Sequence, residues 1–183
     1  VCSSDLAQHR QRLPGQRFAI NLAPSTAYRA QFPLEVSRLL AKYAVEAWQL
    51  IFEVTESSAF GHADLAASTL RKLQKMGIRI AIDDFGTGYA SYARLKSVDA
   101  DILKIDGGFI RNIVSNSLDY QIVASICHLA RMKKMLVVAE YVETEEIRSA
   151  VHALGIDYVQ GYLIGLPAEL DTLLNTQPSQ ETA

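Results

Sequence analysis

Six short apolar runs, each closing on a polar or ionisable residue, constrain this chain more than any other feature. They are Phe18-Ala19-Ile20-Asn21, Leu50-Ile51-Phe52-Glu53, Arg79-Ile80-Ala81-Ile82-Asp83, Asp101-Ile102-Leu103-Lys104, Leu136-Val137-Val138-Ala139-Glu140 and Ile156-Asp157-Tyr158-Val159-Gln160. Runs of this length, rich in Ile, Val, Leu and Phe, read as buried parallel strands rather than helices. Their last residues lie 32, 30, 21, 36 and 20 positions apart. Each interval leaves room for a loop, a helix and a return, the period of repeated strand-helix units.

The intervening segments carry helical patterns with recognisable ends. Asp64 to Met76 sets Leu65, Ala66, Thr69, Leu70, Leu73 and Met76 near one face, and Gly77 supplies a stop. Thr144 to Leu154 opens on a capping threonine with two glutamates in its first turn and ends at Gly155. Leu118 to Met132 is expected to turn Ile122, Ile126, Leu129 and Ala130 inward, with Arg131, Lys133 and Lys134 at its C-terminal end; Leu34 to Ala44 is a fourth helix. Such units close into a (β/α) barrel or spread into an open doubly wound sheet. Polar residues at the end of nearly every strand favour the barrel, because an open sheet gathers its chemistry at one switch point. The expected fold is therefore α/β, a TIM-like barrel, incomplete, with about six of the eight units present and two missing from the N-terminal side.

Composition narrows the class. With 183 residues, 49% of them hydrophobic, the chain can bury a sizeable core. A net charge of −2 and no basic tract give no case for duplex nucleic acid as partner. No apolar stretch reaches the roughly 18 to 20 residues of a membrane span. Cysteine usage suggests no disulfide framework, so a reducing cytoplasm is the expected compartment, with membrane anchoring of a longer parent left open. Cys127 reads as a small core residue, and His9, His62, His128 and His152 as surface or packing residues. The opening Val1-Cys2-Ser3-Ser4-Asp5-Leu6 matches the translation of GTG TGC TCT TCC GAT CTN, a sequencing-adapter tail, so residues 1–6 are expected to be foreign or disordered. Residues 7–170 then form the folded domain and 171–183 a polar, flexible tail.

The chemistry concentrates at Asp83-Asp84-Phe85-Gly86-Thr87-Gly88. Two adjacent half-buried carboxylates repel one another and resist desolvation, so a divalent cation or two is their natural partner; a tight Gly-rich loop is the plainer alternative. Glu53-Val54-Thr55-Glu56-Ser57, Asp83 to Tyr89, Leu103-Lys104-Ile105-Asp106, Ala139-Glu140-Tyr141-Val142-Glu143-Thr144 and Gln160-Gly161-Tyr162-Leu163 resemble, in order and spacing, the motifs of the EAL domain family. The resemblance covers roughly Gln16 to Leu170.

That resemblance implies a barrel that binds cyclic di-GMP and hydrolyses it to linear pGpG with two Mg²⁺ or Mn²⁺ ions. It implies that Asn21 and Glu53 bind the first metal, that Asp83 bridges both, and that Asp84 and Glu140 bind the second. Hard oxygen donors suit those ions, and a shared carboxylate suits a pair that activates water for in-line attack on phosphorus. Lys104 is implied as a catalytic cation near the phosphate, with an ion pair to Asp106 or Asp83 as the plainer reading. Gln160 is placed with the water or ligand and Tyr162 with the substrate, while Glu56 and Glu143 anchor loops. The family relation also suggests a homodimer and an upstream sensory or diguanylate cyclase domain in the parent.

Three departures bear on activity. The Glu-Ala-Leu segment that names the family is expected on a strand before the first run and is absent from this sequence, so one implied metal ligand is lacking and this fragment is expected to be inactive or impaired. Tyr141 stands where the family usually has glycine, and would narrow the site if its ring pointed inward. Ala23 and Ile164-Gly165-Leu166 replace an expected serine and a more polar stretch. The competing functions are a degenerate cyclic di-GMP receptor or partner-binding module, and a Schiff-base aldolase using Lys104.

Overall fold

The computed structural model describes residues 15–56, 63–86, 99–170 and 172, with side chains described except at 63–66. The adapter-like segment 1–6, Cys2, His9, His62, Thr87, Gly88, Tyr89 and the tail other than Thr172 lie outside the described residues.

Six strands form one sheet: β1 (Phe18–Asn21), β2 (Leu50–Thr55), β3 (Arg79–Phe85), β4 (Ile102–Ile105), β5 (Leu136–Ala139) and β6 (Tyr158–Val159). Every pairing is parallel, and the spatial order β1-β2-β3-β4-β5-β6 repeats the chain order. A doubly wound sheet reverses its order at a switch point; this one never reverses, so it winds in the sense of a barrel. The helices are α1 (Pro24–Ala27), α2 (Phe32–Tyr43), α3 (Ala63–Lys75), α4 (Gly107–Ile110), α5 (Ser117–Met132) and α6 (Glu145–Ala153).

Helix ends follow the local chemistry. After α3 the chain breaks at Gly77, whose φ of +97° a side chain would resist. Asn116 accepts from Leu118 N at 2.9 Å to cap α5, and Thr144 Oγ1 accepts from Ile147 N at 3.3 Å to cap α6. The inward face of α5 keeps Ile126 and Ala130 as expected but is centred differently. Val123, Ile126, Cys127 and Ala130 are buried, and Ile122 and Leu129 flank them at partial burial. Positions i, i+3, i+4 and i+7 from Val123 align on one stripe, and its small members let the helix approach the sheet more closely than a Leu129-centred face would.

Cys127 is 1% exposed, and burial pushes its thiol up to about 11. Thiolate is the reactive form, so in a Cys2→Ser background Cys127 is expected to resist alkylation at pH 7.5 and to react fully once urea unfolds the chain. Mass spectrometry of iodoacetamide-treated protein checks this; rapid native labelling would contradict the packing.

The floor of the sheet is braced by two aspartates. Asp101 N donates to Ile80 O at 2.9 Å while its Oδ2 accepts from Ile80 N at 2.8 Å. Asp157 N donates to Val137 O at 3.1 Å while its Oδ2 accepts from Val137 N at 2.8 Å. Each aspartate thus satisfies both main-chain groups of the second residue of the strand next door, and β4 and β6 begin at the position after the aspartate. The braces expose an internal repeat: Ile80, Asp83 and Asp84 in β3 correspond to Val137, Glu140 and Tyr141 at β5, and Asp101 and Lys104 correspond to Asp157 and Gln160.

Candidate metal centre

The site forms where β2 to β6 end. All four residues of β4 are buried, including Lys104 at 5% exposure. A lysine in such a strand is costly unless its charge is matched. Its ammonium meets Asp83 Oδ1 at 2.7 Å, Glu140 Oε1 at 2.9 Å and Glu53 Oε2 at 3.2 Å. Asp106, the alternative partner in the sequence reading, is engaged elsewhere: its Oδ1 accepts from Gly108 N at 2.8 Å and caps α4.

Adjacent strand residues normally point to opposite faces. Asp84 escapes that rule because its φ is +55° and the β3–β4 register shifts between Ile82 and Phe85. Ligand oxygens of Asp83, Asp84 and Glu140 consequently lie within 4.8 Å of one another. Glu53 joins this trio through Lys104, and Asn21 stands beside Glu53 in the β1–β2 register, exposed on the edge strand. Glu56, 3% exposed, accepts from Gly86 N at 3.2 Å and so ties the end of β2 to the turn after Asp84.

Beside the trio, Glu140, Tyr141, Glu143, Gln160, Gly161 and Tyr162 line a cavity of about 200 Å³. Gln160, Glu143 and Tyr162 are exposed at its rim, Tyr162 at 65%. The Tyr141 ring lies against Gly107 and beneath Arg111, whose Cζ is 3.9 Å from the ring centroid. Arg111 is a participant the sequence reading missed, since nothing in the sequence couples it to Tyr141. The substitution at Ala23 costs α1 a side-chain cap, and Ile164 and Leu166 are exposed.

The electrostatics favour added positive charge. Burial, then the charges of Asp83 and Asp106, raise the Asp84 pKa, with Lys104 opposing them. Burial also raises that of Glu140, against hydrogen bonding and attraction from Lys104. For Lys104 burial pulls downward, but hydrogen bonds to Asp83 and Glu140 and the nearby glutamate charges outweigh it, and the ammonium is held above the ordinary lysine range. Among the described residues, four carboxylates therefore face a single ammonium. Asp83 Oδ1 is shielded from solvent, and among the described residues the Lys104 ammonium, 2.7 Å away, is its partner. Three carboxylates whose oxygens converge within 4.8 Å, with one ammonium to offset them, fit a hard divalent cation.

The EAL domain profile matches residues 1–167. The chain belongs to the EAL domain family. It is 70% identical over 179 residues to the cyclic di-GMP phosphodiesterase PdeF of Escherichia coli K12, covering 97% of this chain and 24% of that protein, so it spans about a quarter of that relative. Among solved structures, the PaMucR phosphodiesterase in its c-di-GMP complex superposes with a TM-score of 0.85 at 37% identity, over 94% of this chain and 70% of that one. The manganese/cy-diGMP complex of Klebsiella pneumoniae BlrP1 superposes with a TM-score of 0.81 at 30% identity, over 88% of this chain and 42% of that one. Like other members, this EAL chain is α/β with barrel-type winding, and no helix among its described residues is long and apolar enough to cross a membrane.

The raised carboxyl groups give the metal-free EAL domain a testable pH response. A carboxyl whose pKa is higher folded than unfolded binds more protons in the folded state, so stability falls as pH rises through that range. Metal-free protein is expected to melt higher at pH 5 than at pH 7. Glu140→Gln should raise the pH 7 melting temperature by about 2–4 °C and flatten the difference. Calorimetry in EDTA reads both; a wild-type melting temperature that fell on acidification would contradict the assignment.

Proposed function

We propose that the EAL domain represented by this chain is a phosphodiesterase that hydrolyses cyclic di-GMP to linear pGpG with Mg²⁺ or Mn²⁺. The observation that carries this reading is the Asp83, Asp84 and Glu140 trio, with its shielded Asp83 oxygen pressed against Lys104. The relatives named above supply the substrate by their own described activity and ligands.

Asn21 and Glu53 would hold one ion, Asp83 would be shared, and Asp84 and Glu140 would hold the other. Such ions, when bound, supply Lewis acidity and an activated water for displacement at phosphorus. Lys104 stays cationic throughout the physiological range, so it acts as a fixed positive charge toward the phosphodiester rather than as a proton acceptor. That property also disfavours the aldolase reading, which needs a neutral amine. Gln160 offers both a donor and an acceptor at the cavity rim, and Tyr162 presents an aromatic face there for the nucleotide. Glu56 sets the turn after Asp84, and Glu143 serves the neighbouring loop. A homodimer, an upstream sensory or cyclase domain and a cytoplasmic location of this domain complete the proposal.

The test is cyclic di-GMP hydrolysis by the longer parent protein with Mg²⁺ or Mn²⁺, beside its Glu53→Ala variant and this chain alone. Turnover by the parent, lost in the variant and reduced in this chain, is expected. A folded parent that binds cyclic di-GMP without turnover would replace the enzyme by a receptor.

A further inference from the structure

We infer that α4 is a wedge that sets the two acidic strand ends around Lys104, with Tyr141 and Arg111 as positioning residues for Glu140. The metal consequence of this inference rests on the proposed function, whereas the wedge itself does not.

Tyr141 has a φ of +54°, a conformation that suits glycine and that side chains rarely adopt. The backbone needs it. Glu140 N donates to Ile105 O at 3.2 Å, toward β4, and Val142 N donates to Gln160 O at 3.0 Å, toward β6. The chain changes neighbours across one residue, and that residue is the pivot. A tyrosine holds this conformation only if its surroundings over-determine it.

They do so through α4. A Cβ at Gly107 would lie 2.2 Å from Tyr141 Cδ2 and 2.9 Å from Tyr141 Cβ, so the ring occupies the space a side chain would need. Arg111, the residue that closes α4 four positions after Gly107, donates its backbone N–H to Gly107 O at 2.9 Å and places its guanidinium carbon 3.9 Å from the ring centroid. The helix is pinned on its other flank as well. A Cβ at Gly86, which follows Asp84 and Phe85, would lie 2.4 Å from Phe109 Cε2. One short helix that begins three residues after Lys104 therefore packs against Gly86, in the turn that follows Asp83 and Asp84, and against Tyr141, which follows Glu140. In the other repeat unit the equivalent left-handed pivot is Asp84, whose carboxylate joins the trio. Here the pivot grips α4 instead.

The experiment compares wild type with Arg111→Ala, Arg111→Lys, Tyr141→Ala, Tyr141→Phe and the Arg111→Ala/Tyr141→Ala pair, by amide hydrogen exchange and by Mn²⁺ binding followed with electron paramagnetic resonance. Arg111→Ala and Tyr141→Ala are each expected to speed exchange at Glu140 and Val142 by about tenfold while leaving Ile51 to Val54 unchanged, and the pair should be no worse than either alone. Mn²⁺ affinity should fall about tenfold in the same variants, with Tyr141→Phe at the wild-type value and Arg111→Lys between. Unchanged exchange at Glu140 and Val142, or faster exchange spread evenly over the sheet, would overturn the wedge. Wild-type protein that binds no Mn²⁺ would overturn the metal reading, while the exchange data would still decide the wedge.

Discussion

Asp83→Asn is expected to abolish Mn²⁺ binding at the centre and to lower cyclic di-GMP turnover by the parent protein about a thousandfold or more. Asp83 is the residue on which the arrangement converges. One of its oxygens contacts Lys104 at 2.7 Å, and its carboxylate lies within 4.8 Å of ligand oxygens on both Asp84 and Glu140. Asparagine keeps the shape but removes the charge and puts an NH₂ group, which cannot ligate a cation, in place of one of the two carboxylate oxygens. Metal-free stability should hardly suffer, because the substitution also relieves repulsion toward Asp84 and Glu140. Calorimetric titration with Mn²⁺, melting in EDTA and an activity assay separate these effects. Near-normal Mn²⁺ affinity in a well-folded Asp83→Asn protein would remove Asp83 from the ligand set.

Lys104→Met is expected to destabilise the metal-free domain by about 3–5 kcal/mol, the range for removing one partner of a buried charge cluster. Methionine keeps most of the volume, so the loss reports charge rather than a cavity. Without the ammonium, Asp83, Glu140 and Glu53 face one another in a region where each side chain is at most 14% exposed. Saturating Mn²⁺ should recover part of the loss, since ligands that bind only the folded state stabilise it by mass action. Turnover should remain low even when the fold is rescued, because the fixed charge toward the phosphodiester is gone. Urea melts in EDTA and in Mn²⁺ provide the comparison; equal stability of variant and wild type in EDTA would mean that the ion pairs contribute nothing.

The strands were legible because burial on both faces leaves little choice of residue: Leu103 and Ile105 are fully buried in β4, and their run reads as a strand from composition alone. Helix ends were legible where one residue decides them, as at Thr144 and Gly77, whereas the Asn116 cap of α5 went unread. Glu53, Asp83, Lys104 and Glu140 were legible as a group because a polar residue closing each buried strand has only one end of the sheet to occupy. Of their contacts, the Lys104–Asp83 pair was one of two partners the sequence offered, and the rest were not foreseen. Lys104 meets three carboxylates from three different strands, and the sequence left Asp106 as an equal partner until the helix cap claimed it. The left-handed pivots at Asp84 and Tyr141 were hidden for a similar reason, since both lie in stretches whose composition predicts ordinary strand ends. Arg111 was invisible because its partner is 30 residues away and no periodicity joins them. On α5 Ile126 and Ala130 are buried as expected, but Val123 and Cys127 take the places expected of the bulkier Ile122 and Leu129.

The two aspartate braces lie at the opposite end of the strands from the carboxylates. From Ile80 to Asp83 the strand advances three residues at about 3.3 Å each, roughly 10 Å, and Val137 to Glu140 spans the same interval. Groups that far apart with no shared partner respond independently to substitution. An engineer can therefore harden the floor around Asp101 and Asp157 for heat tolerance while redesigning specificity at the rim, and expect the two sets of changes to combine additively.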